Sequence, residues 1–416
     1  MPDPLHSHPS PVATLQSPPS PCPTPPRAWD IFCTVVDNYG DIGICWRLAR
    51  QLVAEHGVAV RLWVDEPGTF ARLCPEVDAV SERQRVAGVD IRHWRRPFPA
   101  DVDVADVVIE AFACGLPECY AAAMARRQPA PHWINLEYLS AETWVADCHG
   151  LPSPHPRLPL VKHFFIPGFD RKSAGLLRER GLLTYHAAFD AAAWWAANGG
   201  APTAERLRAS LFAYENTAIG PLFDAWRQGG RPVFGLLTDS RLLTSAASAL
   251  GRPLAVGDVS APDATGSLKL RVLPFLRQEA YDDLLAACDL NFVRGEDSLV
   301  RAIWAGKPFV WHIYPQDDDA HRAKLDAFLD RYCAGLTAPA ASALRAFWHA
   351  WNAGNAAQSG AGNTARSATT HITVEHWLAF AGHLPEIAEH TLAFRDRLAQ
   401  LPDLAKTLTD FCRHPL

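Results

Sequence analysis

The sequence contains neither a Cys-x-x-Cys pair nor a His-Glu-x-x-His motif, although it has ten cysteines and 17 histidines. The cysteines are scattered, which indicates reduced thiols in a cytoplasmic protein rather than a disulfide framework or a zinc site. No apolar run approaches the roughly 18 residues that a membrane helix needs. We therefore expect a soluble protein that spans no membrane.

A strong excess of charge of either sign is also lacking, since 39 basic and 45 acidic side chains give a net charge of −6. This balance gives no reason to expect nucleic acid or an anionic membrane as a partner. No Gly-x-Gly-x-x-Gly follows a predicted strand, which disfavours a dinucleotide-dependent oxidoreductase. The length of 416 residues favours two or three domains.

Residues 1–27 are dominated by Pro, Ser and His and lack the basic start and apolar core of a secretory signal. The composition indicates a disordered tail. A dispensable extension is favoured over a Pro-rich ligand for some partner.

The stretch 29–50 organises the first half of the chain. Its apolar run from Ile31 to Val36 predicts a buried strand, a turn follows, and helical spacing begins near Asp41. Open α/β sheets bind ligands at such strand-to-helix junctions. Asp37 and Asp41 are therefore candidate active-site residues. The alternative is that Asp41 only caps the helix and Asp37 only forms the turn.

Strands alternate with helices in two series, which predicts right-handed βαβ units and parallel sheets covered on both faces. We predict two Rossmann-like domains, 28–195 and 205–385, that face across a cleft in the α/β architecture called GT-B. The Pro-rich run Leu151–Pro159 is predicted to be a long loop over this cleft. Residues 386–416 are expected to form helices that pack back on the N-terminal domain.

A second strand-to-helix junction lies in the second series. The predicted strand ends at Val293, and Glu296, Asp297 and Ser298 open a helix that ends at Gly306. Backbone N–H groups at such a helix start are a natural seat for a diphosphate, and Arg294 can pair with phosphate oxygens.

Glu296 and Asp297 would repel a phosphate that they faced. Our interpretation is that backbone N–H groups and Ser298 meet the diphosphate, while Glu296 accepts hydrogen bonds from sugar or ribose hydroxyls. The alternative is an ordinary acidic helix start without a ligand.

Both junctions resemble signatures of the bacterial elongation factor P arginine rhamnosyltransferases. The first reads Asp-Asn-Tyr-Gly-Asp-Ile-Gly from Asp37, followed by Trp-Arg-Leu-Ala-Arg up to Arg50. The second reads Arg-Gly-Glu-Asp-Ser from Arg294, followed by Ala-Gly-Lys-Pro-Phe and Trp-His-Ile-Tyr-Pro-Gln-Asp. The resemblance covers residues 28–330, is weaker through 150–210 and at the C-terminal end, and is absent in the tail.

This resemblance implies a metal-independent, cytoplasmic enzyme without a cofactor. Its donor substrate would be dTDP-β-L-rhamnose, and it would transfer L-rhamnose to one arginine of elongation factor P with inversion at the anomeric carbon. The modified factor would support translation of polyproline. Asp317-Asp318-Asp319 looks like a metal-binding Asp-x-Asp, but a helix cap is the favoured interpretation.

The resemblance also implies roles for single residues. Asp41 takes the place of the general base, Asp37 helps to hold the acceptor guanidinium, and Glu137 is a candidate for the acceptor pocket. The implied donor contacts are Phe212, Tyr214, Gln278, Tyr281, Arg294, Glu296, Asp297, Ser298 and Tyr314. Among them, Phe212 and Tyr281 would contact the thymine and Tyr214 would lie near the diphosphate. We expect the Phe275 side chain only to fill the hydrophobic core. This interpretation is disfavoured for Phe212, which lies at a predicted strand end.

Two rival functions remain. One is a GT-B glycosyltransferase with a different nucleotide-sugar donor or a small-molecule acceptor. The other is a nucleotide-binding regulator that has lost catalysis, against which the presence of both Asp37 and Asp41 speaks.

Overall fold

A computed structural model describes residues 27–36, 39–99, 101–260, 266–316, 320–354 and 371–413. Within these ranges the N-terminal part forms an eight-stranded sheet. Its strands are β1 Ala28–Cys33, β2 Ala59–Val64, β3 Arg83–Val86, β4 Val89–His93, β5 Val107–Ala111, β6 His132–Leu136, β7 Pro152–Pro154 and β8 Val161–Phe165. The helices of this part are α1 Gly40–His56, α2 Pro67–Leu73, α3 Glu118–Arg126 and α4 Val145–Cys148.

The rest of the described chain supplies a five-stranded parallel sheet and most of the helices. Two helices precede this sheet, α5 Leu182–Ala188 and α6 Ala191–Ala197. The strands are β9 Leu207–Leu211, β10 Val233–Thr238, β11 Leu268–Leu273, β12 Leu290–Arg294 and β13 Phe309–His312. The remaining helices are α7 Ile219–Gln228, α8 Leu242–Leu250, α9 Gln278–Ala287, α10 Gly295–Ala305, α11 Ala320–Tyr332, α12 Ala338–Asn352, α13 Val374–Gly382, α14 Leu384–Ala399 and α15 Leu404–Arg413.

The first sheet has the order β3-β4-β2-β1-β5-β6-β8-β7, and the second has the order β11-β10-β9-β12-β13. In each sheet the strand before a predicted junction is an interior strand, with β1 between β2 and β5, and β12 between β9 and β13. Helices cover both sheets, so strands such as β5 are buried along their whole length. The predicted α/β architecture with two Rossmann-like domains is confirmed.

The strand predicted from Ile31 to Val36 ends earlier, at Cys33. The reason lies in the next residues, whose N–H groups bond to side chains instead of to a neighbouring strand. Val35 donates to Asp65 Oδ1 at 3.0 Å, and Val36 donates to Asp41 Oδ2 at 2.8 Å. These bonds turn the backbone away from the sheet toward α1.

The sequence predicted that the whole Pro-rich run Leu151–Pro159 is a loop, and this prediction is wrong for part of the run. Its residues Pro152–Pro154 form β7, which pairs antiparallel with β8 at the outer edge of the first sheet. An edge strand tolerates proline because one side of its backbone needs no partner.

Helices α5 and α6 pack with the second domain, although they precede its first strand. Trp195 of α6 is buried in the same core as Phe234, and its Nε1 donates to the backbone oxygen of Ala287 at 3.0 Å. Leu182 of α5 and Trp195 of α6 therefore belong to the second core, although both fall within the predicted first domain, 28–195.

The final helices divide between the two domains. Trp377 and Phe380 of α13, together with Ile387 of α14, belong to the core of the second domain. Leu404 and Leu408 of α15 belong to the core of the first domain, where α15 packs on α1. Of the segment 386–416, which was predicted to pack back on the N-terminal domain, α15 contributes to the first core, whereas Ile387 of α14 contributes to the second. None of the described helices is long and apolar enough to span a membrane.

We predict that Leu408→Ala lowers the free energy of unfolding by about 2–5 kcal/mol, because it leaves a cavity between α15 and the first core. Urea denaturation measures this change. Lys406→Ala on the exposed side of the same helix is the control and should change the free energy by less than about 0.5 kcal/mol. Equal effects of both variants would contradict the packing described.

Candidate active site

Asp41 lies in the first turn of α1 and is almost completely buried. Its Oδ2 accepts the N–H of Val36 at 2.8 Å, and its Oδ1 accepts the hydroxyl of Tyr138 at 3.1 Å. The helix is capped at Tyr39 without a side-chain hydrogen bond, so Asp41 is not its N-cap residue. Asp37, the other predicted catalytic residue, lies outside the described residues.

Tyr138 was missed by the sequence interpretation, although it lies in the segment that follows β6. Its ring stacks on Phe112 with the ring centroids 4.4 Å apart. Phe112 and Ala113 both have a positive φ, 56° and 53°, which is a strained backbone for residues other than glycine. The strained turn after β5 thereby supports the tyrosine that bonds to Asp41.

Glu137 lies next to Tyr138, but its carboxylate faces a different cavity. It accepts a hydrogen bond from the Asn135 amide, and burial raises its pKa above the usual value for glutamate. The cavity that it lines is also lined by Ile44 and Glu296.

The β12–α10 junction forms the opposite wall. Gly295 opens α10 with φ 64°, a left-handed conformation that favours glycine. The guanidinium carbon of Arg294 lies 4.9 Å from the ring centroid of Phe212 and 4.6 Å from that of Tyr214. Two aromatic rings and the start of a helix thus surround one cation.

The first cavity has an empty volume of about 660 Å³ between the two domains. Seven of the predicted donor residues line it, namely Phe212, Gln278, Tyr281, Arg294, Glu296, Asp297 and Ser298. The rings of Phe212 and Tyr281 meet edge to face with centroids 5.2 Å apart. Phe275, which we expected only to fill core, lines this cavity as well. Aromatic walls beside a helix N-terminus suit a flat base joined to phosphate groups.

The second cavity has an empty volume of about 860 Å³ and is lined by Asp41 and Tyr138 from the first domain. Tyr214 and Tyr314, the other two predicted donor residues, line it from the second domain. Glu296 lines both cavities. Asp41 and the predicted donor residues therefore lie around adjoining cavities of one interdomain cleft.

Three predicted donor residues also join the two domains. Glu296 Oε2 accepts the N–H of Leu139 at 2.7 Å. Gln278 Nε2 donates to the backbone oxygen of Gly43 at 3.0 Å. Asp297 pairs with Arg47 of α1 at 3.2 Å. In this structure their polar atoms hold α1 and the segment after β6 against the second domain.

A buried ion cluster, formed by Arg47, Glu179, Asp282, Asp297 and Arg301, adjoins the first cavity, which Arg47 and Asp297 line. Arg47 and Arg301 both bond to the two oxygens of Asp282, at 3.2 Å and at 2.7–3.0 Å respectively. Glu179 accepts from Arg301 at 2.6 Å and from Arg47 at 3.4 Å. Both arginine side chains are only 2% exposed.

The sequence interpretation selected Asp297 but not the other four members of this cluster, although Arg47 and Arg301 lie within or beside the two signatures. Both occupy the later turns of helices whose first turns were predicted to form the site. Each helix has an arginine six or seven residues after its first residue, and this recurrence in the sequence could have indicated the cluster.

Burial raises the pKa of Glu179, but the charges of Arg301 and Arg47 outweigh it and lower that pKa from 4.5 to about 2. A carboxylate whose pKa is lower in the folded than in the unfolded chain stabilises the fold fully at pH values above the unfolded pKa. For Glu179 this contribution is lost as the pH falls from about 4.5 to about 2.

We therefore predict that Glu179→Gln lowers the free energy of unfolding at neutral pH, on the order of 1–3 kcal/mol. The variant should also lose less stability than the unmodified chain as pH falls through that window. Urea denaturation at several pH values measures both effects. Parallel curves for the two proteins would contradict this assignment.

Among the described residues, no three His, Cys, Asp or Glu side chains are placed to hold a metal ion together. The predicted cap Asp317-Asp318-Asp319 lies outside those residues, so the interpretation of that run stays a prediction.

The fold is that of the GT-B glycosyltransferases. A solved structure of the glycotransferase of kitacinnamycin covers 94% of this chain with 99% of its own, at a TM-score of 0.51 and 12% identity. At that identity the likeness concerns the fold alone.

The particular family is given by closer matches. The family described as Elongation-Factor P rhamnosyltransferase EarP matches residues 29–413. A protein-arginine rhamnosyltransferase of Pseudomonas aeruginosa is 50% identical over 391 residues, which are 92% of this chain and 98% of that protein. A structure that explains EarP-mediated arginine glycosylation of translation elongation factor EF-P is 34% identical, with a TM-score of 0.62 over 94% of this chain and 100% of its own. The chain belongs to the EarP family.

Proposed function

We propose that this chain transfers L-rhamnose from dTDP-β-L-rhamnose to an arginine side chain of elongation factor P, with inversion at the anomeric carbon. Family membership supports this reaction. The observation that carries it is the position of Asp41, which is held by two hydrogen bonds on the wall of a cavity that adjoins the donor cavity.

The donor lies across the second domain in this proposal. Phe212 and Tyr281 contact the thymine, since their rings form an aromatic corner in the first cavity. The N–H groups at the start of α10 and Ser298 receive the diphosphate. Arg294 and Tyr214 meet the charge that develops on the leaving dTDP. Glu296 lines both cavities and accepts hydrogen bonds from the sugar.

The acceptor is a difficult nucleophile, because the lone pairs of a guanidinium are delocalised and its pKa exceeds about 12. Asp41 binds the arginine, orients one nitrogen toward the anomeric carbon and takes a proton as the new bond forms. The nitrogen–carbon bond forms as the bond from the anomeric carbon to the diphosphate breaks. One base suffices, because direct displacement with inversion needs no covalent glycosyl-enzyme.

Asp37 remains a prediction for holding the same guanidinium. Glu137 faces an adjoining cavity, so its proposed contribution is to line the acceptor side at some distance from Asp41. We further propose that the reaction needs no metal ion, and that it takes place in the cytoplasm, where the modified factor supports translation of polyproline.

Mass spectrometry of elongation factor P tests the function. The factor is incubated with this chain and dTDP-rhamnose, with and without a chelator, and in parallel with UDP and GDP sugars. We expect one added rhamnose on an arginine in both dTDP-rhamnose samples. Transfer only from another donor would support the rival glycosyltransferase, and donor binding without any transfer would support the nucleotide-binding regulator.

We predict that Asp41→Asn lowers kcat on the order of 10²-fold or more, because the amide cannot accept the proton. Binding of dTDP, measured by calorimetry, should persist. Asp65→Asn is the matched control, since Asp65 holds the same loop through Val35 but lines neither of the two cavities. It should lower kcat far less. Equal kcat values for Asp41→Asn and the unmodified chain would remove Asp41 from the role of base.

We predict that Arg294→Ala weakens dTDP binding by about 10- to 100-fold, the range expected for a lost hydrogen bond to a charged group. Isothermal calorimetry measures the Kd. Arg227→Ala, on an exposed ion pair of α7, is the control and should leave the Kd unchanged. An unaltered Kd for Arg294→Ala would exclude this arginine from the donor seat.

A further inference from the structure

We propose that Arg47 is a positioning residue, whose buried ion pairs with Asp282 and Asp297 set the distance between Asp41 and the anomeric carbon of the donor. This inference rests on the proposed function, because it presumes that Asp41 acts on an acceptor beside a donor held by the second domain. It concerns a residue that lies at the wall of the donor cavity but whose guanidinium nitrogens are all bonded to carboxylates.

The geometry begins with two helices. Asp41 lies at the start of α1, and the diphosphate seat lies at the start of α10. These helices pack against each other, so their relative position determines the gap between base and donor. Arg47 lies six residues after Asp41, about 9 Å along the helix axis at 1.5 Å per residue. Arg301 lies at a similar depth in α10.

Asp282 of α9 connects the two helices. Its carboxylate bonds to the guanidinium of Arg47 through two oxygens at 3.2 Å, and to that of Arg301 at 3.0 and 2.7 Å. Bonds through two oxygens fix both distance and orientation, unlike an apolar contact, which tolerates sliding. The cluster therefore sets one register of α1 against the second domain.

Asp297 extends this connection to the donor. Its carboxylate pairs with Arg47 Nε at 3.2 Å, and the same residue lines the donor cavity. An atom of the donor seat is thus bonded directly to the helix that carries the base. The position of α1 and the shape of the donor cavity cannot change independently.

Arg47 lines the donor cavity, but its polar atoms are already bonded to protein carboxylates. All three of its guanidinium nitrogens bond to carboxylates, of Asp297, Glu179 and Asp282, and the side chain is only 2% exposed. Without Arg47, Arg301 would be the remaining arginine for the three carboxylates, and it pairs with Glu179 and Asp282 but not with Asp297. Repulsion among the carboxylates would then push α1 and the second domain apart.

The test compares Arg47→Met, which keeps an unbranched apolar stem and removes the charged guanidinium, with Arg47→Lys. For each variant we would measure the Kd of dTDP, the kcat of transfer to elongation factor P and the rate of donor hydrolysis. In hydrolysis, water replaces the arginine nitrogen at the anomeric carbon, dTDP leaves, and the water proton passes to solvent.

We expect Arg47→Met to lower kcat at least tenfold, to change the Kd of dTDP less than threefold, and to raise the ratio of hydrolysis to transfer. Arg47→Lys should recover part of the kcat, because it keeps one charge but not the paired geometry. Misfolding alone would lower the active fraction without changing the ratio of hydrolysis to transfer.

Arg331→Met is the matched control, since Arg331 joins Asp170 and Ala141 at 2.8 and 2.7 Å in a more exposed contact between the two domains. It should leave the ratio unchanged.

Three results would overturn the inference: unchanged kcat and ratio in Arg47→Met, a Kd that rises in parallel with the loss of kcat, or the same ratio change in Arg331→Met. The second result would make Arg47 a donor ligand. Failure of the proposed function looks different, because the unmodified chain itself would then transfer no rhamnose.

Discussion

The chemistry of this protein depends on two helix N-termini that meet at one cleft. A parallel sheet places the helix starts at the carboxyl edge of its strands, and both sheets turn this edge toward the cleft between them. The start of α1 brings Asp41, and the start of α10 brings unpaired N–H groups. In the proposed reaction, Asp41 is the base and the start of α10 is the anion seat, which are the two requirements for displacing a nucleotide from a sugar.

Acidic residues in this cleft have different tasks because their surroundings differ. Asp41 accepts a backbone N–H and a tyrosine hydroxyl, which fix its carboxylate at the wall of the second cavity. Asp297 and Asp282 face buried arginines and hold the domains together. Glu296 accepts a backbone N–H across the interface. Each carboxylate is thus paired in a way that suits its location.

Local patterns in the sequence predicted most of the fold and the two helix starts that line the cleft. Strand, turn and helix at residues 29–50 and 289–306 are properties of neighbouring residues, and neighbouring residues are what periodicity detects. The partners of Tyr138 and Arg47, and the limits of the segment that returns to the first domain, could not be predicted in this way. They depend on contacts between segments far apart in the chain, such as Tyr138 with Asp41 and Arg47 with Asp282. The early end of β1 has the same origin, since the Asp65 side chain lies 30 residues away from Val35.

A crystal structure of this chain with dTDP-rhamnose and the Asp41→Asn substitution tests the central claim most directly. An acceptor nitrogen must lie within about 3.2 Å of the base and within about 3.5 Å of the anomeric carbon. The account therefore predicts that the side chain at position 41 lies about 6 Å from the anomeric carbon, with the diphosphate at the start of α10. A donor bound elsewhere, or an anomeric carbon more than about 10 Å from position 41, would contradict it.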